Sequence, residues 1–111
     1  MQRFGKILRV KEGKFEEYKR QHQAVWPEVL EVLRIYHLSN YSIYHKDGLL
    51  FTYYEYTGED YQADMNKMAQ EPANKKWSEF MRTLQEPLPT RKAGEWWANM
   101  EEIFHLDREQ P

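Results

Sequence analysis

The hydrophobic period of this chain changes early, and that change limits what the chain can become. Residues Gln2–Val10 alternate: Phe4, Lys6, Leu8 and Val10 fall on one face, and Arg3, Gly5, Ile7 and Arg9 on the other. From Lys14 the spacing becomes three and four residues. Phe15, Tyr18, His22, Val25 and Trp26 then line one side, with Glu16, Glu17, Lys19 and Arg20 opposite. Side chains repeat every two residues in a strand and about every 3.6 in an α-helix, so neither pattern serves the other structure. The switch at Gly13 therefore predicts a strand, with Leu8 and Val10 inward, followed by a helix.

Pro27 interrupts the helical pattern. It cannot continue the backbone ladder, it pushes Trp26 out of helical geometry, and it suits the first turn of a new helix. Val29, Leu30, Val32, Leu33 and Tyr36 give that second helix its apolar side. Ser39–Asn40 reads as a loop, and Tyr41, Ile43 and His45 as alternate positions of a second strand. Lys46-Asp47-Gly48 predicts a hairpin turn, because Asp-Gly supplies the positive φ values such turns need. Leu49–Tyr56, rich in aromatic and β-preferring residues, is the third strand. Gly58–Asp60 opens a helix carrying Tyr61, Met65 and Met68, and Pro72 restarts one carrying Trp77, Phe80, Met81 and Leu84. Glu86–Glu95 reads as a long loop and Trp96–Leu106 as a last strand. The order β-α-β-β-α-β predicts an α+β, ferredoxin-like fold. Its helices cover one sheet face, and the uncovered face calls for a partner, by default a second copy in a homodimer.

The 111 residues suffice for one domain, 1–111, with a core of its own. A net charge of −2 with both signs interspersed argues against nucleic-acid or membrane-surface binding. No apolar run is long enough to predict a membrane span or a signal peptide. The absence of cysteine excludes disulfides, thiolate metal sites and a cysteine nucleophile, and fits a cytoplasmic setting. Aromatic residues make up 15% of the chain, with four Trp and eight Tyr. That load exceeds the needs of a small core and predicts a ring-lined site or interface.

Among candidate chemical groups His22 leads. Tyr18 stands one turn before it and Trp26 one turn after, so a partly dry pocket would surround a group that titrates near neutrality. The plainer alternative is a core-edge histidine with a hydrogen-bonded ring. His22, His37, His45 and His105 show no metal-ligand spacing, no serine or threonine lies in a nucleophile elbow, and no phosphate loop is present. No metal and no cofactor is expected. Glu12, Glu16, Glu17 and Glu28 read as a solvated helix face. Tyr41 and Tyr53 could flank a site from the hairpin, and Trp77 could stack on a ligand or belong to the core. Ring faces and phenol hydroxyls together match the flat C–H patches and hydroxyls of a pyranose. One histidine with no cofactor motif suits chemistry that only moves protons. Two other readings of the same inventory are a small ferredoxin-like monooxygenase and a non-catalytic binding dimer.

The stretch Tyr18-x-x-x-His22-x-x-x-Trp26-Pro27-Glu28, then Asn40-Tyr41-x-Ile43-Tyr44, Leu49-Leu50-Phe51 and the ending Glu102-Ile103-Phe104-x-Leu106 resembles the L-rhamnose mutarotase family from about Arg3 to Leu106. The resemblance implies a homodimeric ferredoxin-like α/β barrel that interconverts the α and β anomers of a deoxy-hexose, with no cofactor. It implies His22 as proton donor, with Tyr18, Tyr41, Trp77 and Trp26 around the sugar. L-rhamnose is the leading substrate, and relatives that act on L-fucose share the architecture. Where the family often carries a Trp-Trp pair, this chain reads Trp77-Ser78; Trp96-Trp97 lies much later and inherits no role from that pair.

Overall fold

The computed structural model describes residues 1–107. Strand β1 spans Gln2–Val10, β2 Leu38–Lys46 and β3 Leu49–Tyr56. The burial of β3 alternates without exception: Leu50, Thr52, Tyr54 and Tyr56 are buried, while Leu49, Phe51, Tyr53 and Glu55 are half-exposed. One face of the sheet is therefore covered and the other is not. β3 pairs antiparallel with β1, placing Leu8 opposite Leu50 and Lys6 opposite Thr52. It also pairs antiparallel with β2 through the predicted hairpin, where Asp47 and Gly48 both adopt positive φ.

Two short strands, β4 at Gln85–Glu86 and β5 at Ala98–Asn99, follow one another along the free edge of β1. The order β2-β3-β1-β4 is that of the ferredoxin-like α+β fold. Helices α1 (Phe15–His22) and α2 (Pro27–Ile35) fill the first crossover, and α3 (Tyr61–Gln70) and α4 (Pro72–Arg82) the second.

Both helix pairs are split by the same device. Trp26 precedes Pro27 with ψ 130°, and Glu71 precedes Pro72 with ψ 128°. A residue before proline is driven to extended geometry, so neither first helix can run on into the second, and each proline opens the next helix at its N-terminus; α3 stops directly at Glu71, whereas α1 already ends at His22. Asp60 caps α3, its carboxylate accepting from the Ala63 N–H at 3.1 Å. Leu8, Val10, Tyr18, Leu50, Met81 and Leu84 form the main core between sheet and helices.

Three sequence expectations need correction. Ser39–Asn40 is not a loop but part of β2, where the register against β3 slips by one residue between Ser39 and Ser42. Asn40 takes φ 49° at this bulge, which is why it carried a turn signal. Glu86 leaves the predicted loop to join β4. The last strand is two residues rather than Trp96–Leu106: the Met100 N–H still donates to the Gly5 carbonyl at 2.8 Å, but beyond it the chain is held to β1 by side chains, Arg3 gripping Glu102 through Nε and a second guanidinium nitrogen at 3.0 and 3.1 Å, and residues 101–107 form no strand.

Candidate active site

A cavity of about 630 Å³ lies between the covered sheet face and the helices. That size is in the range of small-molecule sites. α1 contributes Tyr18 and His22, β2 Tyr41, β3 Thr52 and Tyr54, α4 Trp77 and Ser78, and β4 Gln85. α1 ends with His22 at the cavity, and after a short turn Pro27 opens α2, which packs against β2.

His22 is held on three sides. Its ring stacks on Tyr18 at 4.2 Å between centroids and meets the edge of Trp77 at 5.4 Å. Its Nδ1 lies 2.8 Å from the Tyr18 carbonyl oxygen. A carbonyl can only accept, so Nδ1 carries the hydrogen and Nε2 is the nitrogen that titrates. Burial pulls the imidazole below its ordinary pKa of 6.5 and outweighs the opposing effect of the Tyr18 carbonyl. At neutral pH the resting ring is uncharged, with a bare Nε2. Burial pushes the Tyr18 phenol up to about 12, so it stays protonated and can only donate or accept a hydrogen bond there. Tyr41 is likewise raised by burial of its hydroxyl; its ring stacks on Tyr54 at 5.0 Å.

Tyr18, His22, Tyr41 and Trp77 all line this one cavity. Trp26 does not line it: α1 ends at His22, and Trp26 instead packs edge-on against Trp77 at 5.0 Å, backing that ring from behind. Among the described residues, no carboxylate lines the cavity. Glu12, Glu16 and Glu28 are exposed, and Glu17 pairs with Arg20 and accepts from Gln21. His37, His45 and His105 are exposed and stand outside the cavity. Nowhere among the described residues do three metal-ligating side chains converge.

Lys6, Thr52, Gln85, Trp96 and Trp97 also line the cavity, and the sequence reading assigned them no role. A signal for the first two was present: each is a polar residue at an inward strand position, where an apolar one packs better. Gln85 and Trp96 had no such signal, since they meet only because β4 and the returning loop share one edge of β1.

The comparisons agree with one another. A family model described as L-rhamnose mutarotase matches residues 3–106. An L-rhamnose mutarotase of Lactiplantibacillus plantarum is 31% identical, the match covering 96% of this chain and 100% of that protein. One from Listeria monocytogenes is 33% identical over 96% and 99%. In fold, the chain is similar to the crystal structure of an L-rhamnose mutarotase from Formosa agariphila, with TM-score 0.76, 24% identity, and 96% and 100% of the two chains covered.

Proposed function

Since the chain belongs to the L-rhamnose mutarotase family, we propose that its ring-lined cavity binds L-rhamnose and that His22 moves the proton that interconverts the sugar's anomers. The protein is an isomerase acting on a monosaccharide, and the monooxygenase and non-catalytic readings fall away with the family. One observation carries the assignment to His22: its Nδ1 is bound to a backbone carbonyl, which reserves Nε2 for exchange in the cavity.

The steps follow from that geometry. Bare Nε2 takes the proton of the anomeric hydroxyl. The bond between C1 and the ring oxygen breaks, its electron pair passing to the ring oxygen as the C1 carbonyl forms. The imidazolium returns its proton to the ring oxygen, giving the open-chain aldehyde. The C1–C2 bond rotates, and the same transfers run in reverse as the ring oxygen attacks the other face of C1. The two sugar oxygens share C1, so one ring nitrogen can serve both. His22 is thus the donor to the ring oxygen and also the base, which requires no carboxylate. Acid–base help of this kind contributes roughly 10²–10⁴-fold. Tyr18 and Tyr41 offer hydroxyls to the sugar, Trp77 offers a ring, and Trp26 holds Trp77 in place.

We further propose a homodimer formed through the uncovered sheet face. Cross-strand partners share a face, so Ile7, Ser42, Tyr44, Phe51 and Tyr53 lie together there, with Tyr44 67% exposed. Ile103, Phe104 and Leu106 add exposed apolar groups beyond the Arg3–Glu102 pair. Among the described residues, no helix is long and apolar enough to cross a membrane. We propose a cytoplasmic setting on the ground of the family, whose members are enzymes of sugar metabolism.

Anomer-exchange NMR with L-rhamnose, L-fucose and D-glucose tests the substrate. The fastest exchange is expected for L-rhamnose. Faster exchange with L-fucose would move the assignment to that sugar, and no acceleration with any of them would overturn the catalytic reading.

A further inference from the structure

We propose that Gln85 is a positioning residue that aims the Tyr18 hydroxyl proton into the cavity, making Tyr18 a hydrogen-bond donor to the sugar. The proposal rests on the mutarotase reading of this cavity. Gln85 is 4% exposed and Tyr18 3%, so outside the cavity each polar group depends on protein partners. The side chains form a short chain: Trp96 Nε1 donates to Gln85 Oε1 at 2.8 Å, and Gln85 Nε2 donates to the Tyr18 hydroxyl oxygen at 3.2 Å.

The direction of this chain is fixed at its far end. An indole N–H can only donate, so it must face the amide oxygen, and that orientation leaves the amide nitrogen facing Tyr18. The Trp96 ring is itself held, with the Arg82 guanidinium 4.7 Å and that of Arg91 5.9 Å from its centroid. Because the Tyr18 oxygen receives a hydrogen from Gln85, its own hydrogen must point elsewhere, and the cavity that Tyr18 lines is the open direction. Tyr18 also stacks on His22. A donor fixed there can meet the negative charge that grows on a sugar oxygen when His22 takes the anomeric proton. Gln85 touches neither His22 nor the reacting atoms in this scheme and acts through Tyr18 alone.

Gln85→Glu tests this with little change of shape. A carboxylate accepts from both neighbours, so Tyr18 would turn its proton away from the sugar. Assayed by anomer exchange at about pH 8, where glutamate is ordinarily ionised, Gln85→Glu is expected to lose about 10- to 100-fold in kcat with little change in KM. Tyr18→Phe is expected to lose a similar factor, and the double variant no more than Tyr18→Phe alone, because one proton is lost in each case. Trp96→Phe, which frees the amide to rotate, should lose only a few-fold. Gln85→Met, which removes the amide without adding charge, serves if Gln85→Glu does not fold, and the same coupling with Tyr18→Phe is expected of it. A Gln85 variant that keeps wild-type kcat beside an impaired Tyr18→Phe would overturn the inference, as would losses that multiply in the double variant or simply follow the melting temperature. A wild-type protein that accelerates no anomer exchange would instead overturn the mutarotase reading, and this inference with it.

Discussion

The depressed pKa of His22 has consequences that can be measured. Its cause is burial between Tyr18 and Trp77, and in the proposed scheme the neutral ring accepts the first proton. The catalytic efficiency should therefore be flat above the ordinary value of 6.5 and fall on an acid limb whose midpoint lies below it. A midpoint above 6.5 in the kcat/KM profile would contradict the assignment. Stability carries the same sign. A histidine whose folded pKa is lowered favours folding fully above 6.5, and that contribution is lost as the pH falls from there through the lowered folded value, since the unfolded chain binds the proton more readily. Trp77 is the second residue whose role can be separated from folding. It sits at the core's edge, half-buried against the main cluster, with Trp26 and Phe80 beside it. Trp77→Ala is expected to raise KM about 10-fold, roughly 1.4 kcal/mol of lost ring contact, while a cooperative melt persists. Calorimetric titration with L-rhamnose beside a melting curve would reveal a purely structural tryptophan, which would show a lowered melting temperature and unchanged affinity.

The elements that position these residues were legible wherever local chemistry decides them. The prolines at 27 and 72 split each crossover, and the Asp47-Gly48 turn closes the hairpin that carries Tyr41 and Tyr54 toward the cavity. Gly48 tests that reading cleanly: a Cβ there meets nothing within 4 Å, so only its φ of 79° opposes a side chain. Gly48→Ala should cost about 1 kcal/mol in denaturant unfolding, from the left-handed backbone alone, and leave kcat unchanged. A loss of activity at constant stability would show that the hairpin does more than hold its strands. Legibility failed where long-range contact decides. The helical spacing put Trp26 on the same face as His22, but the bend before Pro27 carries it behind Trp77. The terminal apolar residues looked like a strand, yet the pairing with β1 covers Ala98 and Asn99 and ends with one bond from the Met100 N–H. Gln85 and Trp96 are distant in any local pattern and meet through the fold, so no spacing rule could have joined them to Tyr18.

At the scale of the whole molecule, one face of the sheet holds the cavity and the other is uncovered, the face proposed for a second copy. If the dimer forms there, introducing charge on that face should weaken it without touching the site. Tyr44→Lys combined with Phe104→Glu is expected to shift sedimentation from dimer toward monomer with the far-ultraviolet circular dichroism unchanged. A dimer of undiminished strength would place the interface elsewhere. His22 carries the central proposal: it lines the ring-lined cavity, and its fixed tautomer leaves Nε2 to move the proton. Its most direct test is the anomer-exchange rate of L-rhamnose by NMR for wild type and His22→Ala, each with a melting curve. A fall of roughly 10²–10⁴-fold in the accelerated rate, with the melting temperature nearly unchanged, is the predicted result. A variant that folds and still exchanges the anomers at the wild-type rate would contradict the central claim.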